Sequence, residues 1–205
     1  MNDNTLFEVY ADELKDIWSA NEQMREVVTQ MAETAGDPQL GALLHGVATR
    51  LEEHNRTIRD LLTRRGEEEE PDRSLAMQGL VTQAREQGLE KPLTEAARDV
   101  VIVAQMQRMA HYGIAGYGTA RALAEALDLK EDAETLSADL DEVYATDELL
   151  THLAESVINP ASADEDAEDD EDEDEIGEIS DGVGEERNGF EEDDEDEDDE
   201  DDETR

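Results

Sequence analysis

The sequence predicts an all-α protein, a four-helix bundle with a short extra helix, followed by a disordered acidic C-terminal tail. Three observations carry this reading. Apolar residues recur at three- and four-residue spacing through residues 1–158, the pattern of helices that bury one face. Sustained alternation of apolar and polar residues is absent, and no hairpin dipeptide separates apolar runs, so strands are not expected. Beyond Pro160 the chain is low-complexity Asp and Glu, which buries too little apolar surface to offset the entropy of ordering it. The expected division is a bundle domain over 1–158 and a tail over 159–205.

The first helix is expected from Thr5 to Ala35. Thr5 and Glu8 have capping-box spacing. Leu14, Ile17, Met24, Val28 and Met31 lie on its apolar face, and Gly36 is placed to end it as a left-handed cap. Asp37 and Pro38 suit the N-cap and first position of a second helix, which runs to Arg65 before Gly66. An acidic loop, Glu67 to Asp72, leads to a short helix from Ser74 to Gln87, closed by Gly88. Pro92 opens a long fourth helix to Leu127, and a fifth runs from Glu131 to Ile158, where Asn159-Pro160 stops it. Connections this short suit antiparallel neighbours, with the short helix inside a crossover.

Charge narrows the class of partner. Residues 161–205 hold 28 Asp and Glu against 2 Arg, a net of −26. The remaining residues hold 32 acidic and 14 basic side chains, a net of −18, with Lys15, Lys91 and Lys130 the only lysines. A body this acidic is expected in a halophilic cytoplasm, where molar salt screens self-repulsion to a Debye length of roughly 3 Å. Nucleic acid and anionic membrane surfaces are excluded as partners, since both repel the chain. Basic proteins bound through the tail are the better expectation. The tail is interrupted at Ile176–Ile179 and Val183–Phe190, read here as spacers. The absence of cysteine excludes disulfides, thiolate metal sites and cysteine nucleophiles. No signal segment and no run of about 18 apolar residues is found, so a cytoplasmic location is expected.

Polar residues interrupt three seams: Asn21 in the first helix, His54 in the second and Asp147 in the fifth. Because a buried polar group is costly unless paired, the three are expected to meet, with His111, Tyr112 and Tyr117 as neighbours. One amide, one imidazole and one carboxylate suit a hydrogen-bonded cluster that fixes register better than a metal site. His111 is placed to hydrogen-bond in the core, whereas His45 and His152 fall off the seams. The glycines of Gly113 to Gly118 lie within a helical pattern with no preceding strand and form no phosphate loop. No serine, histidine and acid grouping suggests a nucleophile.

Several runs resemble the YciE/YciF-type ferritin-like family. They are Arg98-Asp99, then His111-Tyr112-Gly113-Ile114-Ala115-Gly116-Tyr117-Gly118-Thr119, and Leu123-Ala124-Glu125. Ala145-Thr146-Asp147, Ala76-Met77 with Gly79-Leu80, and Asp16-Ile17-Trp18 add to them. The resemblance spans residues 4–155 and implies a ferritin-like bundle, often dimeric, with a di-iron carboxylate centre and a link to stress responses. The chain departs from the family at the ligands. Asn21, Gln78, Ala110, Gly113 and Val143 stand where the family has Glu, and the family's second-helix Glu falls near Arg50.

The expectation is therefore a non-catalytic, metal-free relative with a structural or interaction role, with no catalytic, cofactor or metal residues and a homodimeric state. The alternatives are an iron-binding, di-iron stress protein and a tail-driven binder of basic proteins.

Overall fold

The computed structural model describes residues 5–67 and 73–164. Both less acidic islands of the expected disordered tail, and the tail itself from residue 165 on, lie outside the described residues. Regular structure among the described residues is entirely helical: α1 (Leu6–Thr34), α2 (Pro38–Arg64), α3 (Leu75–Ala84), α4 (Glu95–Ala126) and α5 (Lys130–Leu153). Two π-helical segments, Arg85–Glu90 and Ala154–Ile158, extend α3 and α5. No helix among the described residues is long and apolar enough to cross a membrane.

The helix starts follow from their caps. Thr5 and Glu8 form the reciprocal capping box: the Thr5 amide donates to Glu8 Oε2 at 2.6 Å, and the Glu8 amide to Thr5 Oγ1 at 3.3 Å. Asp37 Oδ1 accepts from the amides of Gln39 and Leu40 at 2.8 and 2.9 Å, with Pro38 in the first turn. The fourth helix opens later than Pro92 suggests. Lys91 before the proline is extended (φ −69°, ψ 133°), and Thr94 provides the side-chain cap for the Ala97 amide at 3.3 Å.

Helix ends differ more from expectation. Gly36 is not left-handed; the positive φ angles among the described residues belong to Gly66 (80°) and Asp128 (57°). The α1–α2 corner is held instead by the buried Asp99 of α4, whose two oxygens accept from the amides of Gly36 and Asp37 at 2.9 and 2.7 Å. Gly88 does not close the short helix but sits buried inside the π segment, against Ile102, Val101 and Met31. Nor does Asn159-Pro160 stop α5, since residues 159–164 remain helical. A proline lacks an N–H and clashes with the carbonyl four residues back in a regular helix. The wider π turn immediately before it relieves that conflict.

Residue pairs fix the packing. Lys15 with Glu67 and Arg25 with Glu52 make α1 and α2 antiparallel. Asp99 with Gly36 and Tyr117 with Asn21 do the same for α4 and α1. Arg65 with Asp132 and His54 with Glu142 set α5 antiparallel to α2. Helix α3 lies in the crossover against α1 and α4. At Gly116, α4 approaches α1 so closely that a Cβ would meet Ile17 Cγ1 at 3.1 Å.

Two apolar clusters fill the bundle. One gathers Met24, Val28 and Met31 with Leu44, Met77, Ile102, Met106 and Leu150. The other gathers Tyr10, Leu14 and Ile17 with Ile58, Leu61, Ala120 and Leu136. The buried Asn21 falls between Ile17 and Met24 along α1, and His54 between Leu51 and Ile58 along α2. The polar residues therefore form a waist between two apolar halves.

Candidate functional site

The waist is built from four helices. Asn21 Nδ2 donates to the Tyr117 hydroxyl at 2.8 Å, and both residues are buried. The Tyr117 ring lies edge-on to His54, with centroids 5.7 Å apart. His54 Nε2 lies 3.1 Å from Glu142 Oε2 and 3.8 Å from Asp139 Oδ1. A carboxylate accepts, so Nε2 is the donor of this contact. His54 Nδ1 is buried without a partner, as is Asp139 Oδ2. Burial raises the Asp139 carboxyl from 3.8 to about 6; His54 opposes the rise and Glu142 adds to it. Burial likewise drives the Tyr117 hydroxyl well above its ordinary value, although the Asn21 hydrogen bond opposes the shift.

The expected cluster is thus divided. Asn21, His54 and Tyr117 come together. Asp147 does not join them: it faces His111, whose Nε2 is 3.4 Å from Asp147 Oδ2. His111 is exposed and not a core hydrogen-bonder. Tyr112 serves another junction, bonding the Asp16 carboxylate and lying 3.2 Å from Ser74 Oγ. There the Ser74 amide donates to Ser19 Oγ at 2.9 Å and ties the start of α3 to α1. The residue that occupies the α5 position of the waist is Asp139. Asp132, Asp139, Thr146 and Leu153 are all buried, a stripe with a seven-residue step that the reading through Val143 and Asp147 missed.

A second buried acid went unread for the same reason. Asp132, fully buried, accepts from Arg65 Nε and Nη2 at 3.0–3.1 Å and from the Tyr10 hydroxyl at 3.0 Å. Burial and the Asp132 charge push the Tyr10 hydroxyl far above its usual range.

The positions matching the family's carboxylates can now be located. Ala110 and Val143 line a core cavity of about 30 Å³ together with Met24, Arg50, His54 and Glu142, room for about one water molecule. A Cβ on Gly113 would lie 3.8 Å from Val143 Cγ1. Arg50 Nη2 donates to Thr146 Oγ1 at 3.3 Å. Gln78 is exposed on α3, so it does not face this cavity. A di-iron centre needs several anionic oxygens and imidazoles projecting inward. This cavity offers alanine and valine at two of the matching places, with the guanidinium of Arg50 beside them, and a fixed cation repels metal ions. Among the described residues, no three His, Asp or Glu side chains form a group that could hold an ion. The residues present do not fit the family's metal centre.

Comparison with known proteins agrees with the fold. Residues 5–163 match the domain of unknown function DUF892. The chain is 30% identical to protein YciF of Escherichia coli K12 over 166 residues, covering 78% of this chain and 96% of that protein. The crystal structure of the E. coli stress protein YciF superposes with a TM-score of 0.72 at 29% identity, covering 78% of this chain and 99% of that one. YcfI of Rhodopseudomonas palustris, described as a candidate structural protein, gives 0.69 at 26% identity, covering 74% and 96%. With an all-helical bundle and a family match over most of its length, the chain is a member of the DUF892 family of YciF-like proteins.

Proposed function

We propose that this chain is a non-catalytic member of its family, a structural or interaction protein whose bundle waist holds no di-iron centre. The observation that supports this most directly is the composition of the core cavity. Ala110 and Val143 line it where the family resemblance calls for carboxylates, and the guanidinium of Arg50 lies beside them. Two ferrous or ferric ions bring at least four positive charges, and several anionic oxygens are needed to balance them. The relatives named as a stress protein and as a candidate structural protein are compatible with a role in stress that needs no turnover.

Elemental analysis after purification without chelator tests this, followed by iron(II) titration with oxygen uptake. The expected result is sub-stoichiometric iron and manganese and no oxygen consumption above the rate of free iron. Iron that survives gel filtration near one ion per chain, or ferroxidase turnover abolished by His54→Ala, would restore the second reading, an iron-binding stress protein. That reading rests on His54 with Glu142 and Asp139, the ionisable donors left at the waist. The acidic C-terminal segment adds a separable role, capture of basic proteins. A pull-down with and without residues 161–205 reads it directly, and equal capture by both chains would refute it.

A further inference from the structure

We propose that the core cavity beside Arg50 and His54 is a binding site for one monatomic anion, a chloride ion. This site presupposes that the waist holds no di-iron centre, as proposed above, and the anion is what the same space takes instead. The cavity measures about 30 Å³ and lies between α1, α2, α4 and α5. Met24, Val47, Leu51, Met106, Ala110 and Val143 give it apolar walls. Two basic side chains line it, Arg50 and His54, one helical turn apart on α2.

Arg50 carries a charge without a counter-charge. Arg25, Arg56, Arg64, Arg65 and Arg85 each pair with a described carboxylate. Half-buried Arg50 bonds instead to a neutral hydroxyl, Thr146 Oγ1, and no carboxylate among the described residues pairs with it. That hydroxyl's own proton goes to the Glu142 carbonyl at 2.9 Å. A guanidinium has five N–H donors, so one bond to Thr146 leaves others for a ligand. His54 supplies the second donor. It is 5% exposed, its Nε2 faces Glu142, and its Nδ1 is buried without a partner, an arrangement that is costly unless something fills it. Protonated on both nitrogens, the imidazole donates from Nε2 to Glu142 and from Nδ1 to the anion. Glu142 also lines the cavity. Its carboxylate is engaged by His54 Nε2 and its side chain is 54% exposed, so water and salt screen its charge.

Size and charge select the ion. A space of about 30 Å³ holds one water-sized particle. Sulfate and phosphate are too large for it, and Arg50 repels a metal cation. Water fits but brings no charge to Arg50. Chloride is monatomic, singly charged and weakly hydrated, so it loses little against apolar walls and gains charge-assisted N–H contacts. Its uptake is coupled to a proton, because arginine keeps its charge at every accessible pH whereas histidine changes charge between about pH 5 and 8. The groups facing His54 are Asp139 and Glu142 on α5 and Tyr117 on α4, itself held by Asn21 of α1. Burial keeps the Asp139 carboxyl protonated up to about pH 6. Acidification therefore removes a negative charge from the waist and adds a positive one, and both changes favour the anion.

Thermal melts of the chelator-treated full chain test the site in about 2 M potassium chloride against about 2 M potassium gluconate, whose anion is too large for the cavity. Equal ionic strength screens the acidic surface equally. The general effects of the two anions on burial are subtracted with Arg50→Met, which keeps an unbranched side chain without its charge. Relative to gluconate, chloride is expected to raise the melting temperature of the wild-type chain by about 3–6 °C more than that of Arg50→Met, the shift for an ion at ten times its dissociation constant. The difference is expected to be at least about twofold larger near pH 5.5 than near pH 8.5. Crystals of the wild-type chain soaked in bromide give a readout that needs no variant: the anomalous signal is expected in the cavity, within hydrogen-bonding reach of Arg50 and His54 Nδ1. A chloride effect equal in the wild-type chain and Arg50→Met would overturn the proposal. So would an effect that grows as pH rises, or bromide bound at the surface and not in the cavity. Failure of the metal-free reading shows in the elemental analysis, and failure of the anion site shows in the chelator-treated chain, so the two are told apart.

Discussion

Two aspartates on α5 stand seven residues apart, at the same helical position, and meet opposite fates. Asp132 is wholly buried, yet both its oxygens are hydrogen-bonded, by the forked Arg65 guanidinium and by Tyr10. Asp139 is nearly as buried, but one oxygen has no partner and the other lies 3.8 Å from His54. The first is a finished ion pair that ties α1, α2 and α5 together at one end of the bundle. The second retains the burial of a site residue without the counter-charge that would justify it. A buried carboxylate without full pairing is disfavoured, and its carboxyl responds by holding its proton up to about pH 6. The difference separates a polar residue that the fold uses from one that the fold tolerates.

Substitutions at the two positions should pull stability in opposite directions. The largest effect is expected at the completed pair. Asp132→Ala leaves Arg65 and the Tyr10 hydroxyl without their acceptor and should cost about 3 kcal/mol, the low end for a broken buried pair because Arg65 reaches solvent. Chemical denaturation measures it, and a loss below about 1 kcal/mol, the worth of a surface pair, would erase the contrast.

Asp139→Asn should act the other way. The folded carboxyl titrates near 6 and the unfolded one at the ordinary 3.8, so the folded chain binds the proton more tightly. The stability this contributes is complete below pH 3.8 and lost as pH rises through 6. An asparagine stays neutral throughout. Asp139→Asn should therefore be more stable than the wild-type chain at pH 7.5, by at most about 3 kcal/mol, with the gap closing between pH 6 and pH 4. A variant less stable than wild type at pH 7.5 would show that His54 stabilises the Asp139 carboxylate after all.

The smallest expected effect is the coupling between the sites. Two turns of helix separate them by roughly 10 Å, so the double variant should equal the sum of the singles within about 0.5 kcal/mol. A larger coupling would mean that the waist and the ion pair form one network.

Why the sequence revealed Asn21 and His54 but neither aspartate is a matter of periodicity. In α1 and α2 the apolar residues are dense, so a polar interruption stands out between Ile17 and Met24 or between Leu51 and Ile58. In α5 polar residues occupy both candidate faces. A step from Val143 to Asp147 looks as regular as one from Asp139 to Thr146, and only packing decides between them. Helix starts were legible because caps are local: Thr5 with Glu8 and Asp37 with Pro38 need nothing beyond their own turn. Helix ends at Gly88 and Pro160 were misread because a π turn absorbs a glycine or proline inside a packed helix, which depends on neighbours distant in sequence. Asp99 was visible as part of a family motif, but its work at the α1–α2 corner, some 60 residues away in the chain, was not. The missing metal donors were legible through the resemblance alone. The structure adds that Ala110 and Val143 share one cavity with Arg50, and that Gln78 faces away from it.

The proposal that the waist is a polar remnant and not a metal centre is most directly tested by ligand-linked stability. An ion that binds the folded chain raises its stability by about 2.7 kcal/mol at a hundred times its dissociation constant. Thermal melts of chelator-treated protein in high salt should be recorded with and without millimolar manganese(II), and anaerobically with iron(II). The account predicts the same shift, or none, for the wild-type chain and for His54→Ala. A stabilisation by either metal that the wild-type chain shows and His54→Ala lacks would contradict it.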